Sequence, residues 1–347
     1  GLAALLGILA LGACGDDAPG APGAPNLCND SAPVVPGAIG RFSDIAAAGE
    51  RVLVSAYEEK FGDLVVAEVA EGGSLAFTPI DGVPVASSGK CYRGGVTGPG
   101  DDVGAWTSVA LNAGQGRIAY QDVARGALKL AAEKDGVWKS HIVDAPPGLA
   151  GWYASLSLDA AGIPGIAYMV TGMADGSGGR LAQLRWAEAS RPDPESDKDW
   201  RVETITETRT SCAGLCGKYK FCLAESDTCV APSGDCAECI GDDRACVAGS
   251  CVAVRPTPAT VDLPEGTGLF ASAARLGDGR PLVAFYDRSR GDLMLAVRNG
   301  DADWTVEPLD ADASTDTGQW ASLTVTADGA VHVAYQDALG DRLLHVA

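Results

Sequence analysis

The stretch Trp106-Thr107-Ser108-Val109-Ala110-Leu111, a Gly114-Gln115-Gly116 turn, and then Ile118-Ala119-Tyr120-Gln121-Asp122 decides the fold. Two short apolar runs joined by a glycine-rich turn read as a pair of antiparallel strands. The pattern returns as Ala154-Ser155-Leu156-Ser157-Leu158-Asp159, Gly162 and Ile166-Ala167-Tyr168. It returns again as Ala271-Ser272-Ala273-Ala274, Gly277-Asp278-Gly279 and Val283-Ala284-Phe285-Tyr286-Asp287. The last copy is Trp320-Ala321-Ser322-Leu323-Thr324-Val325, Asp328-Gly329 and Val333-Ala334-Tyr335-Gln336-Asp337. A divergent first copy runs from Phe42-Ser43 through Gly49 to Ser55-Ala56-Tyr57-Glu58.

Each copy continues alike. A glycine precedes a third strand, as in Gly126-Ala127-Leu128-Lys129-Leu130-Ala131 and Gly291-Asp292-Leu293-Met294-Leu295-Ala296. A fourth strand opens with Trp138, Trp200 or Trp304. Four short strands repeated at roughly 50 to 65 residues are the pattern of a propeller blade. A single four-stranded sheet leaves a face exposed, and radial stacking of neighbours covers it. The expected fold is all-β: a β-propeller of five four-stranded blades with a small disulfide-rich insert. A tandem β-sandwich is the competing arrangement. The fifth copy reaches Arg342-Leu343-Leu344-His345-Val346 without a Trp-led fourth strand. The segment from Asn26 to Val35 is therefore expected to supply that strand, at an outer edge where Pro33 is tolerable.

Among 347 residues, 46 acids against 26 Lys and Arg give a net charge of −20. A balance so acidic offers no footprint for phosphate backbones, so no nucleic-acid partner is expected. Leu2 to Ala13 is apolar or small throughout and ends at Cys14. It is too short to span a bilayer and reads as the apolar region of an export signal. Leu11-Gly12-Ala13-Cys14 resembles the bacterial lipobox, which implies a lipid on the Cys14 thiol and membrane attachment through that anchor only; a plain secretory leader is the alternative. By the same likeness, Gly15 in place of Asp implies the outer membrane. The Pro-, Gly- and Ala-rich run after Cys14 behaves as a spacer. The organisation expected is a leader over 1–13, a tether over 14–27, blades one to three over 28–208, a Cys-rich module over 209–253, and blades four and five over 254–347.

That module holds Cys212, Cys216, Cys222, Cys229, Cys236, Cys239, Cys246 and Cys251 among few large apolar residues. Covalent staples must replace a core there. Cys236-Ala237-Glu238-Cys239 has the spacing of half a zinc site, but an even number of cysteines in an exported chain favours disulfides. Cys28 and Cys91 remain as a further pair. No metal or other cofactor is expected. The three histidines, His141, His332 and His345, lack ligand spacing, and Asp310 to Asp316 lacks the glycine and the closing Glu of a calcium loop.

The repeats resemble the Trp-x-Ser-Leu…Asp-x-x-Gly…Ala-Tyr units of exported propeller lipoproteins from GC-rich bacteria such as myxobacteria. The likeness implies a cell-envelope location and transfers no catalytic residue. A looser similarity to sialidase-type propellers fails in detail: their Asp-box sets Asp two residues after Ser, whereas Asp159 follows Ser155 by four. The strand ends Tyr120 and Asp122, Tyr286 and Asp287, and Tyr335 and Asp337, with Trp106, Trp152 and Trp320, form the candidate ligand face. Aromatic rings and carboxylates suit sugars or peptides; the competing reading is that Tyr and Asp cap strands and join blades. The function expected is a non-catalytic, surface-anchored lipoprotein that binds a protein or glycan through this face and the Cys-rich lobe. The alternative is a secreted propeller glycoside hydrolase or lyase with paired carboxylates. The anchor is directly testable. Expressed with a complete leader, the precursor should incorporate labelled fatty acid, and Cys14→Ser should abolish the label; label persisting in the variant refutes the anchor.

Overall fold

The computed structural model describes residues 34–347 apart from 71, 85–91, 177–178, 213–219, 237–238, 240–242, 256–262 and 312–315. Cys14, Cys28, Cys91 and Cys216 lie outside the described residues. Blade 1 comprises β1 (Ile39–Ala48), β2 (Arg51–Glu58), β3 (Asp63–Glu68) and β4 (Thr78–Asp81). Blade 2 comprises β5 (Val103–Asn112), β6 (Gln115–Asp122), β7 (Ala127–Lys134) and β8 (Val137–Asp144). Blade 3 comprises β9 (Leu149–Leu158), β10 (Pro164–Ala174), β11 (Arg180–Ala189) and β12 (Trp200–Thr210). The Cys-rich module follows with β13 (Phe221–Leu223), β14 (Cys229–Val230), β15 (Arg244–Val247) and β16 (Ser250–Arg255). Blade 4 comprises β17 (Thr267–Arg275), β18 (Pro281–Asp287), β19 (Asp292–Gly300) and β20 (Asp303–Asp310), and blade 5 comprises β21 (Thr317–Val325), β22 (Val331–Asp337) and β23 (Arg342–Val346).

Each blade is an antiparallel meander in chain order. The first strands pack in succession, β1 on β5, β5 on β9, β9 on β17 and β17 on β21, so they line the axis. This is a five-bladed β-propeller. Its core is the set of apolar layers between blades. Leu53 and Val66 of blade 1 meet Ile118 and Tyr120 of blade 2, and Leu130 meets Ile166 of blade 3. Trp186 of blade 3 meets Phe285 of blade 4, and Leu293 meets Tyr335 of blade 5. The Trp that opens a fourth strand belongs to these layers. A Cβ on Gly116 would come within 2.4 Å of the Trp138 indole, so the bare glycine lets that ring lie across β6.

The repeated serine is a joint between blades. Ser108 Oγ accepts from the Leu156 N–H at 3.0 Å, Ser155 Oγ from Ala273 at 2.9 Å and Ser272 Oγ from Leu323 at 2.9 Å. In blade 1 the position belongs to Asp44, whose Oδ2 accepts from the Val109 N–H at 2.8 Å. Ser43, aligned with the serines in the sequence, is one residue out of phase. Ser322, at the fifth position, is exposed, and β21 makes no packing on β1 comparable to that between the other inner strands.

The expected fourth strand of blade 5, Asn26 to Val35, lies outside the described residues except for Val34 and Val35, which belong to no strand. The segment from Val35 to Ala38 is tied to blade 1. Lys60 Nζ donates to the Val35 carbonyl at 3.0 Å, the Gly37 N–H donates to Glu58 Oε1, and the Glu59 N–H donates to the Ala38 carbonyl at 3.0 Å. Glu58 also accepts from the N–H groups of Lys60 and Phe61, so one carboxylate gathers both segments at the β2–β3 turn. Blade 5 accordingly has three strands among the described residues. The module's edges also differ by two residues, because β12 keeps pairing through Thr210 and β16 runs to Arg255.

Within the module, Cys212 is bonded to Cys222, Cys236 to Cys246 and Cys239 to Cys251; Cys229 is also disulfide-bonded. Cys236 and Cys239 thus belong to different bridges rather than to a zinc site. The three bridges span separations of 10, 10 and 12 residues, loops whose closure is worth roughly 3 kcal/mol each. The module contributes no strand to a blade. Replacing residues 212–255 by a short Gly/Ser linker should leave a cooperative thermal unfolding transition by calorimetry; a molten or aggregated product would show that the blades depend on the module.

Candidate functional site

Every inner strand breaks its ladder at the same place. The register of β5 on β6 slips between Ala105 and Ser108, that of β17 on β18 between Leu269 and Ser272, and that of β21 on β22 between Gln319 and Ser322. Each slip holds an aromatic residue in left-handed backbone: Phe42 (φ 53°), Trp106 (54°), Tyr153 (51°), Phe270 (51°) and Trp320 (54°). Such a backbone costs a bulky residue about 1–3 kcal/mol. Two residues before each stands a glycine at positive φ: Gly40, Gly104, Gly151, Gly268 and Gly318. At Gly104 a Cβ would approach the Leu64 Cα to 2.7 Å, so the glycine also lets the inner strand touch the preceding blade.

The five bulges aim their rings at the axis. Phe42 and Trp106 centroids lie 4.3 Å apart, Trp106 and Tyr153 4.1 Å, Tyr153 and Phe270 4.8 Å, and Phe270 and Trp320 4.5 Å. Tilted contacts of this kind return about 0.5–1.5 kcal/mol each, which offsets part of the strain. The arc walls an axial cavity of about 910 Å³. Trp152 lines it beside Tyr153, and its buried indole N–H has no hydrogen-bond partner among the described residues. Trp320 is 62% exposed. Gln121 lines the wall and donates to the Ala150 carbonyl at 2.9 Å; Tyr57 lines it and donates to Asp102 Oδ1 at 2.9 Å. Burial, then that bond, push the Tyr57 phenol up to about 12. No Asp or Glu lines the cavity among the described residues, and the one charged side chain in its wall is Arg41.

Of the sequence-predicted ligand face, the structure brings Trp106, Trp152 and Trp320 together and sends the rest elsewhere. Tyr120 and Asp122 are fully buried, as nearly are Tyr286, Asp287, Tyr335 and Asp337. The phenols lash the loops between blades: Tyr120 donates to Asp81 at 2.5 Å, Tyr335 to Asp310 at 2.8 Å and Tyr286 to Asp316 at 2.6 Å. Tyr168 makes the same bond to Asp144 at 2.6 Å. The carboxylates cap the turn after their own strand. Asp122 accepts from the Arg125 N–H at 2.9 Å, Asp287 from Ser289 at 2.9 Å, and Asp337 from Leu339 at 3.1 Å and Gly340 at 2.9 Å. These six residues are architecture. A ring buried between blades leaves its hydroxyl only a neighbouring loop to reach.

Phe42, Tyr153 and Phe270 escaped the sequence reading. Their signal is Gly-x-aromatic-x-Ser or Asp in all five copies, and in the third copy it falls on Tyr153 rather than on its neighbour Trp152. The histidines are also accounted for. His141 accepts from the Trp200 indole at 3.0 Å, and burial lowers its pKa. His332 and His345 stack across β22 and β23 with Nδ1 and Nε2 3.1 Å apart, a meeting that linear spacing hides. Cys212, Cys222 and Asp227 cluster as a metal site would, but both sulfurs are consumed by their disulfide. The acidic stretch weighed for calcium lies partly outside the described residues, and Asp310 within it is engaged by Tyr335.

No family model matches the chain, and no curated protein matches it. It is similar to solved propellers. A thermostable family-43 glycoside hydrolase is 12% identical with a TM-score of 0.43, over 86% of this chain and 83% of that one. The endo-arabinase from Bacteroides thetaiotaomicron VPI-5482 is 12% identical at 0.39, over 91% and 97%. The fucose-specific lectin from Aleuria aurantia is 14% identical at 0.41, over 87% and 72%. Likeness at this level assigns no residue and no activity.

The division between axial site and lashing residues is testable. Tyr335→Phe should lower stability by about 1–3 kcal/mol in urea unfolding, because the Asp310 carboxylate loses a donor, and should leave any ligand affinity unchanged. Lost affinity with intact stability would return Tyr335 to the ligand face.

Proposed function

We propose that the chain is a non-catalytic glycan receptor, a propeller whose axial aromatic arc stacks on sugar rings, carried by a lipid on Cys14 at a bacterial envelope surface. The observation that carries this reading is the arc itself: five aromatic residues held at one repeated, strained bulge around a cavity that no carboxylate lines among the described residues. Packing alone does not call for Trp320 to stand 62% exposed at the end of the row. Sugar rings present apolar C–H faces that stack on aromatic planes, with hydroxyls for directional bonds. A cavity of about 910 Å³ is ample for two or more sugar units. Leu263 and Pro264, where the chain returns from the Cys-rich module, also line the cavity, which puts the lobe's exit at the mouth.

A glycoside hydrolase needs two carboxylates about 5–9.5 Å apart across the scissile bond. Among the described residues none lines the axial cavity, which supports the receptor reading over that alternative. Titration of the mature body with a panel of oligosaccharides should quench tryptophan fluorescence for at least one. Trp320→Ala should then weaken binding at least tenfold, about 1.4 kcal/mol, while lowering stability by no more than the about 0.5–1.5 kcal/mol of its contact with Phe270. Release of free sugar above the blank would favour the hydrolase, and no response to any glycan would end the receptor reading.

A further inference from the structure

Resting on the receptor reading, we propose that the axial cavity selects acidic sugars, with Arg41 recognising the carboxylate of a uronic acid stacked on the aromatic arc. The chain carries 46 acids against 26 Lys and Arg, yet among the described residues the lining of this cavity includes no acid and one guanidinium. Arg41 sits beside the first bulge, its guanidinium carbon 5.0 Å from the centre of the Phe42 ring. A sugar stacked along Phe42 and Trp106 therefore brings its ring edge, where a uronate carries its carboxylate, next to that cation. A planar guanidinium matches a carboxylate in two parallel bonds, which no sugar hydroxyl reproduces.

The groups facing Arg41 leave it available. Glu59 lies 3.6 Å from its Nε, but the two side chains are 40% and 63% exposed, a contact that solvent screens. Asp102 is engaged by the Tyr57 hydroxyl and Asp316 by the Tyr286 hydroxyl. A second cation borders the far rim. Arg288 donates to the carbonyls of Leu263 and Pro264, both cavity-lining residues, and has no carboxylate partner among the described residues. Its charge reaches Tyr153: burial raises the phenol's pKa well above the usual value, and Arg288 opposes that rise only in part. The net charge of −20 opposes approach of a polyanion at long range, but at physiological ionic strength that field fades within about 8 Å and the local cations decide.

The decisive comparison uses one oligosaccharide in two charge states. Tetragalacturonate should bind the mature body at least tenfold more tightly than its fully methyl-esterified form, which keeps the shape and removes the charge. Arg41→Gln should erase that difference while keeping the weaker binding of the ester, and 0.5 M NaCl should shrink it. Equal binding of acid and ester, or tighter binding of the ester, would overturn the acidic preference and leave the receptor reading standing. Binding of neither, with neutral glycans also silent, would overturn both. Poly-glutamate competing as well as the uronate would show that the cavity takes acidic peptides and would overturn the proposal as well.

Discussion

The molecule depends on a joint at its axis, where each inner strand bulges and turns an aromatic ring inward and the first four offer the next blade a side-chain oxygen. The oxygen of Asp44, Ser108, Ser155 or Ser272 takes a main-chain N–H of the next blade's inner strand, just beyond that strand's bulge where the ladder has resumed. An innermost strand has a strand partner on one side only, and a buried N–H left unpaired costs as much as a lost hydrogen bond, so the joint pairs what the sheet edge leaves open. Glycine two residues before each aromatic lets the strand approach its neighbour closely.

The rest of the polar inventory tightens the same joints further from the axis. Phenols buried between blades reach carboxylates in the connecting loops, and strand-end carboxylates close the turns. Outside these lie ion pairs that cross from blade to blade. Arg51 of blade 1 holds Glu133 of blade 2, and Arg275 and Arg298 of blade 4 hold Glu188 of blade 3. Burial pushes the Glu188 carboxyl up, and the two guanidiniums more than reverse it, so it titrates below the usual range; Glu133 behaves likewise beside Arg51. A carboxyl depressed in this way stabilises the folded chain above its ordinary pKa and gives that up as the pH falls. Arg93, with no exposed surface, grips the equally buried Asp63 at 2.5 Å and pins the connection between blades 1 and 2.

Among the described residues the acids serve joints and turns, and none lines the axial cavity. The repeated Tyr and Asp follow the competing reading, as strand caps and joints between blades: a group present in every blade serves what every blade needs, which is attachment to the next.

The sequence by itself determined the repeat, the strand order within each blade, the propeller and the disulfide character of the insert. All of these follow from local periodicity, glycine turns and cysteine density, which are written in the chain. It also contained the Gly-x-aromatic-x-Ser motif, legible as a pattern though not as a site. Only the tertiary structure decided what the pattern does. A left-handed backbone, a ring turned to the axis, and a hydroxyl reaching an N–H in the next blade are relations between segments about 50 residues apart, as Ser108 and Leu156 illustrate. The fate of the strand-end tyrosines was beyond the sequence for the same reason: whether a side chain faces solvent or a neighbour depends on where the neighbour packs. So was the pairing of His332 with His345, which needs two strands to lie side by side before either imidazole can find the other.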